Sequence, residues 1–126
     1  MSTLLPVAIL ALLSPVASAT WADTPGGHVP ARFLGTWAAD ADLCGQEPYE
    51  SMLEITPDSI AFYASGGPIR SVEAHSVEEV TLVAELHGES DETWAESMTL
   101  RLSQAGNRLA IDDREGFRHR CPPANR

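Results

Sequence analysis

Between Arg32 and Cys121 the chain alternates apolar and polar residues in short runs. The runs are Arg32–Ala39, Glu50–Thr56, Ser59–Ala64, Ile69–Ser76, Glu79–Leu86, Thr93–Leu102, Arg108–Asp112 and Gly116–Cys121. Nowhere do apolar residues recur at three-and-four spacing over a helix length, so the period predicts strands. Pro57-Asp58, Ser65-Gly66-Gly67, Gly88-Glu89-Ser90-Asp91 and Gln104-Ala105-Gly106-Asn107 separate runs with residues that favour turns. Alternation puts Leu53, Ile55, Ile60, Phe62, Val80, Leu82, Ala84 and Leu86 on an inner face. Trp94, Met98, Leu100, Leu102, Leu109, Ile111 and Phe117 continue it. Glu54, Thr81, Glu85, Ser97, Thr99 and Arg101 fall on the other face. One buried and one wet face predict an antiparallel all-β fold. Short sequential strands without a long crossover predict a small up-and-down barrel of about eight strands, which removes exposed edges. The large inward side chains nearly fill so small a barrel.

The ends read differently. Residues 1–19 hold an apolar run from Leu4 to Leu13 and a small-residue site, Ala17-Ser18-Ala19, the order of a secretory signal peptide cleaved near Ala19. That run is about ten residues, whereas a membrane span needs roughly 20. Residues 20–31 read as a flexible leader, 32–121 as the barrel domain and 122–126 as a C-terminal tail. The expected location is periplasmic or secreted, with no membrane span after processing.

Export changes the reading of the two cysteines, Cys44 and Cys121, which are expected to form a structural disulfide. Its long loop is worth up to about 4 kcal/mol in the chain-entropy picture. The pairing conflicts with strand parity, because Cys44 follows the first strand while Cys121 ends the last, at opposite ends of a closed meander. Either Asp40–Pro48 folds back along the barrel or the strand count is off by one.

The 126 residues carry 18 acids and 8 bases, a net charge of -10. Phosphate backbones and anionic lipid repel such a chain, so nucleic acid is not an expected partner. A cationic exported protein is the electrostatically favoured one.

Gly35-Thr36-Trp37 in the first strand resembles the Gly-x-Trp of lipocalins and the wider calycin group. The resemblance implies a barrel closed at one end, with an Arg of the last strand packed over the Trp. Phe117-Arg118-His119-Arg120 offers Arg118 and Arg120, so Gly35, Trp37, Arg118 and Arg120 are the expected barrel-closing residues. The stretch is also similar to small periplasmic inhibitors of metalloproteases, in which Gly-x-Trp is soon followed by a Cys. Those inhibitors have a short-range bridge, whereas the partner here lies at the far C-terminus. The two likenesses imply, respectively, a carrier of a small apolar ligand and a hydrolase inhibitor.

Candidate chemistry is sparse. Asp40, Asp42 and Gly45 match positions one, three and six of an EF-hand loop, but position twelve is Ser51 rather than the bidentate acid calcium requires. His28, His75, His87 and His119 show no ligand spacing, although His75 and His87 sit on a predicted hairpin and could meet across it. There is no Gly-x-Ser-x-Gly elbow and no legible triad. No catalytic residue, metal ligand or cofactor is therefore assigned. Glu96 shares the parity of Trp94 and Met98, and His119, on the face of Phe117, is its candidate buried polar partner; the alternative is that Glu96 reaches water at a barrel mouth. Two acidic clusters, Asp40, Asp42, Glu47 and Glu50, and Glu89, Asp91 and Glu92, are the candidate binding loops.

The expectation is an exported non-enzymatic module that binds a protein through its loops, as a hydrolase inhibitor does. The alternatives are a lipocalin-like carrier of an apolar ligand and an enzyme without a recognisable motif. Mass measurement of the exported protein should show a chain beginning at Thr20 and two hydrogens lighter than the dithiol. An intact N-terminus or free thiols would overturn the export reading.

Overall fold

Each of the alternating runs contains one strand. The computed structural model describes residues 24–25, 27–46, 50–112 and 116–123; the expected signal peptide and its cleavage site lie outside them. The strands are β1 (Thr24–Pro25), β2 (Gly35–Ala38), β3 (Leu53–Ile55), β4 (Ser59–Phe62), β5 (Ser65–Ser76), β6 (Glu79–Gly88), β7 (Thr93–Ser103), β8 (Arg108–Ile111) and β9 (Arg118–Arg120). Strands β2 to β9 pair antiparallel in chain order, and β9 returns to β2, which closes an eight-stranded barrel. No helix among the described residues is long and apolar enough to cross a membrane.

The direction of the strands gives the barrel two unlike ends. The β3–β4, β5–β6 and β7–β8 turns share one end with the segment leading into β2. The β2–β3, β4–β5, β6–β7 and β8–β9 connections share the other, which is the mouth. The first end is sealed. Val29 is buried and its amide donates to the Pro57 carbonyl at 3.0 Å. A single 3₁₀ turn, Ala31–Phe33, then drives Phe33 into the core. Part of the expected flexible leader is thus built into the fold, and the expected strand from Arg32 starts only at Gly35. The reason is a mismatch of strand lengths. β4 reaches β5 only through Gly66, Gly67 and Pro68, so the rest of the β5 edge is open to β1, which pairs with Ser71 and Val72.

Ser65-Gly66-Gly67, read above as a turn, instead opens β5. A Cβ on Gly67 would stand 1.9 Å from the Glu85 carbonyl oxygen, and one on Gly66 3.1 Å from that of Ile60. Glycine serves here to let neighbouring backbones approach rather than to reverse the chain. The actual β4–β5 turn is Tyr63-Ala64.

The interior is packed with Trp37, Phe33, Leu53, Ile55, Ile60, Leu82, Leu86, Met98, Leu100, Leu109 and Ile111, and no polar residue is buried among the described ones. One inward assignment fails. Leu109 lies inside and pairs with Arg118, so Arg118 and Arg120 point inward while Phe117 and His119 point out. Phe117 is 44% exposed, with the Arg108 guanidinium 4.1 Å from its ring centroid and the His119 ring edge-on to it. Aromatic character misled the parity of this strand, whose inward positions belong to two arginines.

Arg120 explains the choice. It pairs with Trp37 across the β2–β9 seam, its guanidinium 4.3 Å from the indole centroid. Nε donates to the Gly106 carbonyl at 3.0 Å, Nη1 to that of Leu34 at 2.9 Å, and Nη2 to that of Arg32. Burial lowers its pKa from the ordinary value, yet a guanidinium remains charged. Trp37 itself donates from Nε1 to the Phe33 carbonyl at 3.1 Å. Gly35 carries φ +121°, a backbone L side chains rarely adopt, and its missing Cβ would meet Arg120 Nη1 at 3.8 Å. Arg118 instead reaches the Ser51 carbonyl from Nε at 2.9 Å.

The parity conflict resolves by the fold-back. After β2 the chain makes a 3₁₀ turn, Ala41–Leu43, capped by Asp40, whose Oδ1 accepts from the Asp42 amide at 3.0 Å. It returns along the outside of the barrel, which accounts for outward-facing Ala38 being fully buried. Cys44 then reaches Cys121 with Cα atoms 5.4 Å apart, and the Cys121 amide donates to Thr36 at 2.8 Å. The strand count stands.

Arg120→Lys should lose about 2–3 kcal/mol of stability in urea titration, because a point charge cannot satisfy three carbonyls in a fixed fork; a loss under about 0.5 kcal/mol would remove the seam from its role. Gly67→Ala should cost at least about 2 kcal/mol by the same measurement, since its Cβ meets unyielding backbone.

Candidate functional site at the barrel mouth

Topology brings both candidate acidic loops to one end. Asp40 and Glu50 lie towards the ends of the β2–β3 connection, Glu89, Asp91 and Glu92 in the β6–β7 turn, and Asp112 at the end of β8, all on the mouth side, whereas Asp42 belongs to the strap that folds back towards Cys121. Glu47 lies outside the described residues. The described residues of the four mouth connections contain no Arg. On the wall, Arg70 is paired with Glu85 at 2.7 Å and Arg101 with Glu79 at 2.6 Å. Arg32 and Arg120 gather at the sealed end. Arg118, which opens β9, reaches the β2–β3 connection at the Ser51 carbonyl, and the sequence puts Arg114 in the β8–β9 connection, so the mouth is acid-rich rather than free of cations.

Within the turn the acids differ. The Gly88 amide donates to the Glu92 carbonyl at 2.9 Å, and the Glu92 carboxylate accepts from the Ser90 amide at 3.0 Å. Gly88 leaves room for that carboxylate, for a Cβ there would lie 2.2 Å from it. Glu92 thus shapes the turn, while Glu89 and exposed Asp91, at φ +65°, face solvent. In the first connection Asp40 is occupied in capping Asp42. The two thereby build a 3₁₀ turn, not the first positions of a calcium loop. Asp112 accepts from the Thr99 amide at 2.7 Å.

Below these loops lies a cleft of about 350 Å³ lined by Glu50, Phe62, Tyr63, Ala64, Ser65, Trp94 and Glu96. Its inner floor follows from register. Trp94 pairs with Leu86 and Glu96 with Ala84, both buried inward positions, so the two side chains occupy the last inward places before the rim. Trp94 is 38% exposed and Tyr63 51%. Glu96 is half-buried, in the place where a carboxylate can sit without leaving water altogether. Its expected partner, His119, is on the outer face of β9, two strands away. Sequence parity found Trp94 and Glu96. It missed Tyr63 and Ser65, because the turn was placed two residues too late.

The remaining candidates are dispersed. His87 sits opposite Gly66 at the mouth and accepts or donates at Thr93 Oγ1 over 3.1 Å, whereas His75 lies at the far end of the same hairpin. His75 Nε2 is 2.7 Å from Thr81 Oγ1, Glu73 lies 3.9 Å from its Nδ1, and Thr81 continues to Thr99 at 2.8 Å. This carboxylate–imidazole–hydroxyl order imitates a triad. It lies on the outer face of the β5–β6–β7 wall, where it serves as a cross-strand hydrogen-bond chain. Among the described residues no group of three or more His, Cys, Asp or Glu is placed to hold a metal ion. A second cleft, about 280 Å³ at the sealed end, is formed by Leu34, Gly35, Thr36, Arg120, Cys121, Pro122 and Pro123; its cation is committed to the seam.

Comparison with protein-family models, curated proteins and solved structures finds no match to this chain.

Proposed function

We propose that the chain is an exported, non-enzymatic binding module that engages a cationic protein through the mouth of its barrel. The observation that carries this reading is the excess of acids at one end: Glu50, Glu89, Asp91, Glu92 and Asp112 come from separate connections to one rim and outnumber Arg118 and Arg114 there, with exposed Tyr63 and Trp94 beside them. A rigid scaffold presenting loops at one end is a common arrangement for recognition, and exposed aromatics supply contact area to a charged rim. The packed interior supports a surface rather than an internal ligand, which sets the carrier alternative behind. The Arg120–Trp37 stack supports the calycin likeness at the closed end of the barrel; a hydrolase inhibitor as the kind of module rests on the separate likeness to small inhibitor barrels. Export rests on residues 1–19 and agrees with the disulfide.

The test is retention on the immobilised protein of basic proteins from the exported fraction. Retention is expected at low ionic strength and should fall steeply by about 0.3 M salt, where the Debye length has shrunk well below 10 Å. The variant carrying Glu50→Gln, Glu89→Gln and Asp91→Asn should lose it. Salt-insensitive retention, or equal retention by that variant, would overturn the proposal. A small molecule released on denaturation in native mass spectrometry would favour the carrier instead.

A further inference from the structure

We infer that the mouth half of β7 is a docking edge, which takes an extended, basic segment of the partner as an added antiparallel strand. The inference rests on the proposed function and names the way the mouth would hold its partner. It begins with a mismatch of strand lengths. β7 has eleven residues and pairs with β6 along its length. Its other neighbour, β8, has four and matches it only from Leu100 onward. The Asp112 amide prolongs that ladder by one bond, to the Thr99 carbonyl. Along residues 93–98 no described strand lies on that side.

Two bonds fix the direction of the backbone groups. Thr99 faces the β8 side, since its carbonyl accepts from the Asp112 amide and its own amide donates to the Asp112 carboxylate. Leu102 faces the β6 side, where its amide donates to the Glu78 carbonyl. Main-chain groups alternate along a strand, so Thr93, Ala95 and Ser97 share the direction of Thr99 and turn N–H and C=O away from β6. All three are exposed. They are small and uncharged, without the Lys, Pro or bulge by which sheets blunt an edge. The fold treats its other open half-edge differently. On β5, the stretch beyond β4 is covered by β1 at Ser71 and Val72 and carries Arg70, Glu73 and His75. An extended segment laid on a half-edge is thus already part of this molecule.

The surroundings choose the occupant. The turn at residues 89–92 carries Glu89, Asp91 and Glu92 and leads directly into β7. A second copy, in the register that pairs all three free residues, would set its own Asp91 opposite Thr99, where Asp112 already stands, like charge against like. A basic segment brings the opposite charge. Antiparallel pairing is the more stable per residue, and the added chain would run from Ser97 towards Thr93 and on past the acidic turn. Main-chain bonds to the edge give affinity, and the basic residues beyond it give selection. The pairing uses main-chain groups, so the contacts that Glu96 and Phe62 already make stay in place.

The probe is the blocked peptide Thr-Thr-Thr-Val-Thr-Arg-Arg. Its first five residues match residues 93–97, its valine lies opposite Trp94, and its arginines reach the acidic turn. Two N-methylated forms keep every side chain and charge. One is methylated at its third and fifth residues, whose amides would face β7, the other at its second and fourth, whose amides would face away. Binding to the exported protein at low salt is followed by amide shifts and hydrogen exchange. The Ala95 and Ser97 amides should exchange fast in the free protein and slow at least about tenfold with the parent peptide and with the second form. The first form should bind at least about tenfold more weakly. Ala95→Pro removes an amide that the fold leaves unbonded, so it should fold as before and weaken the parent peptide about tenfold. The methylated pair needs no change in the protein, so the test stands even where that variant does not fold.

Equal binding of the two methylated forms would overturn the added strand while leaving the acid-rich mouth as the binding surface. Shifts confined to residues 89–92, with no protection of Ala95 and Ser97, would do the same. Protection of those amides in the free protein that grows with concentration would give the edge to a second copy and overturn the choice of partner. No response to any of the peptides would overturn the inference outright, and the retention experiment then decides the fate of the broader proposal.

Discussion

One cation holds the sealed end together. Arg120 comes from the last strand, yet its donors serve carbonyls at Arg32, Leu34 and Gly106, and its plane covers the indole of Trp37 from the first barrel strand. The lead-in segment, the β7–β8 turn and the closing seam are thereby fixed by the same side chain. These carbonyls are only part-buried or exposed, so the guanidinium does what water would otherwise do and ties three segments together in the process. Gly35 belongs to this arrangement, since its left-handed backbone carries the chain from the 3₁₀ turn into β2 past the guanidinium. The disulfide adds a second tie one residue further on, between Cys121 and the returning strap.

Sealing one end decides what the other can do. The barrel interior is given over to large apolar side chains, which is why the proposed binding surface is the rim. An even number of strands in chain order puts alternate connections at alternate ends, and the acidic connections are the ones that alternate to the mouth. The charge polarity of the molecule is a product of topology acting on loop composition. Aromatic residues at the last inward and first turn positions then give the negative field a concave surface on which to act. Neither feature requires a catalytic group.

Much of this was legible in the chain. The period-two pattern located every barrel strand, because a strand with one wet face writes its geometry into alternate residues. The disulfide partners and the two acidic loops could be named from composition and position alone. Other parts were not legible, for physical reasons. The inward face of β9 was misread because Arg118 and Arg120 are inward by virtue of carbonyls far away in sequence, which no local pattern announces. The Gly66-Gly67 pair could not be told from a turn, since glycine signals both reversal and close approach. The leader was read as loose because its order depends on β5 outrunning β4. For the site, Trp94 and Glu96 were found by alternation, but that they share a cleft with Tyr63 depends on where a turn falls to within two residues.

The closing strand is short and follows all the others in the chain. β9 spans only Arg118–Arg120, and Cys121 follows at once. The long β5–β6–β7 meander is local in the chain and can form without it. The ring, the stack on Trp37 and the disulfide all depend on that one short strand. Without β9 in place the other strands are an open, unlocked sheet, so three residues decide whether the molecule is a sheet or a barrel.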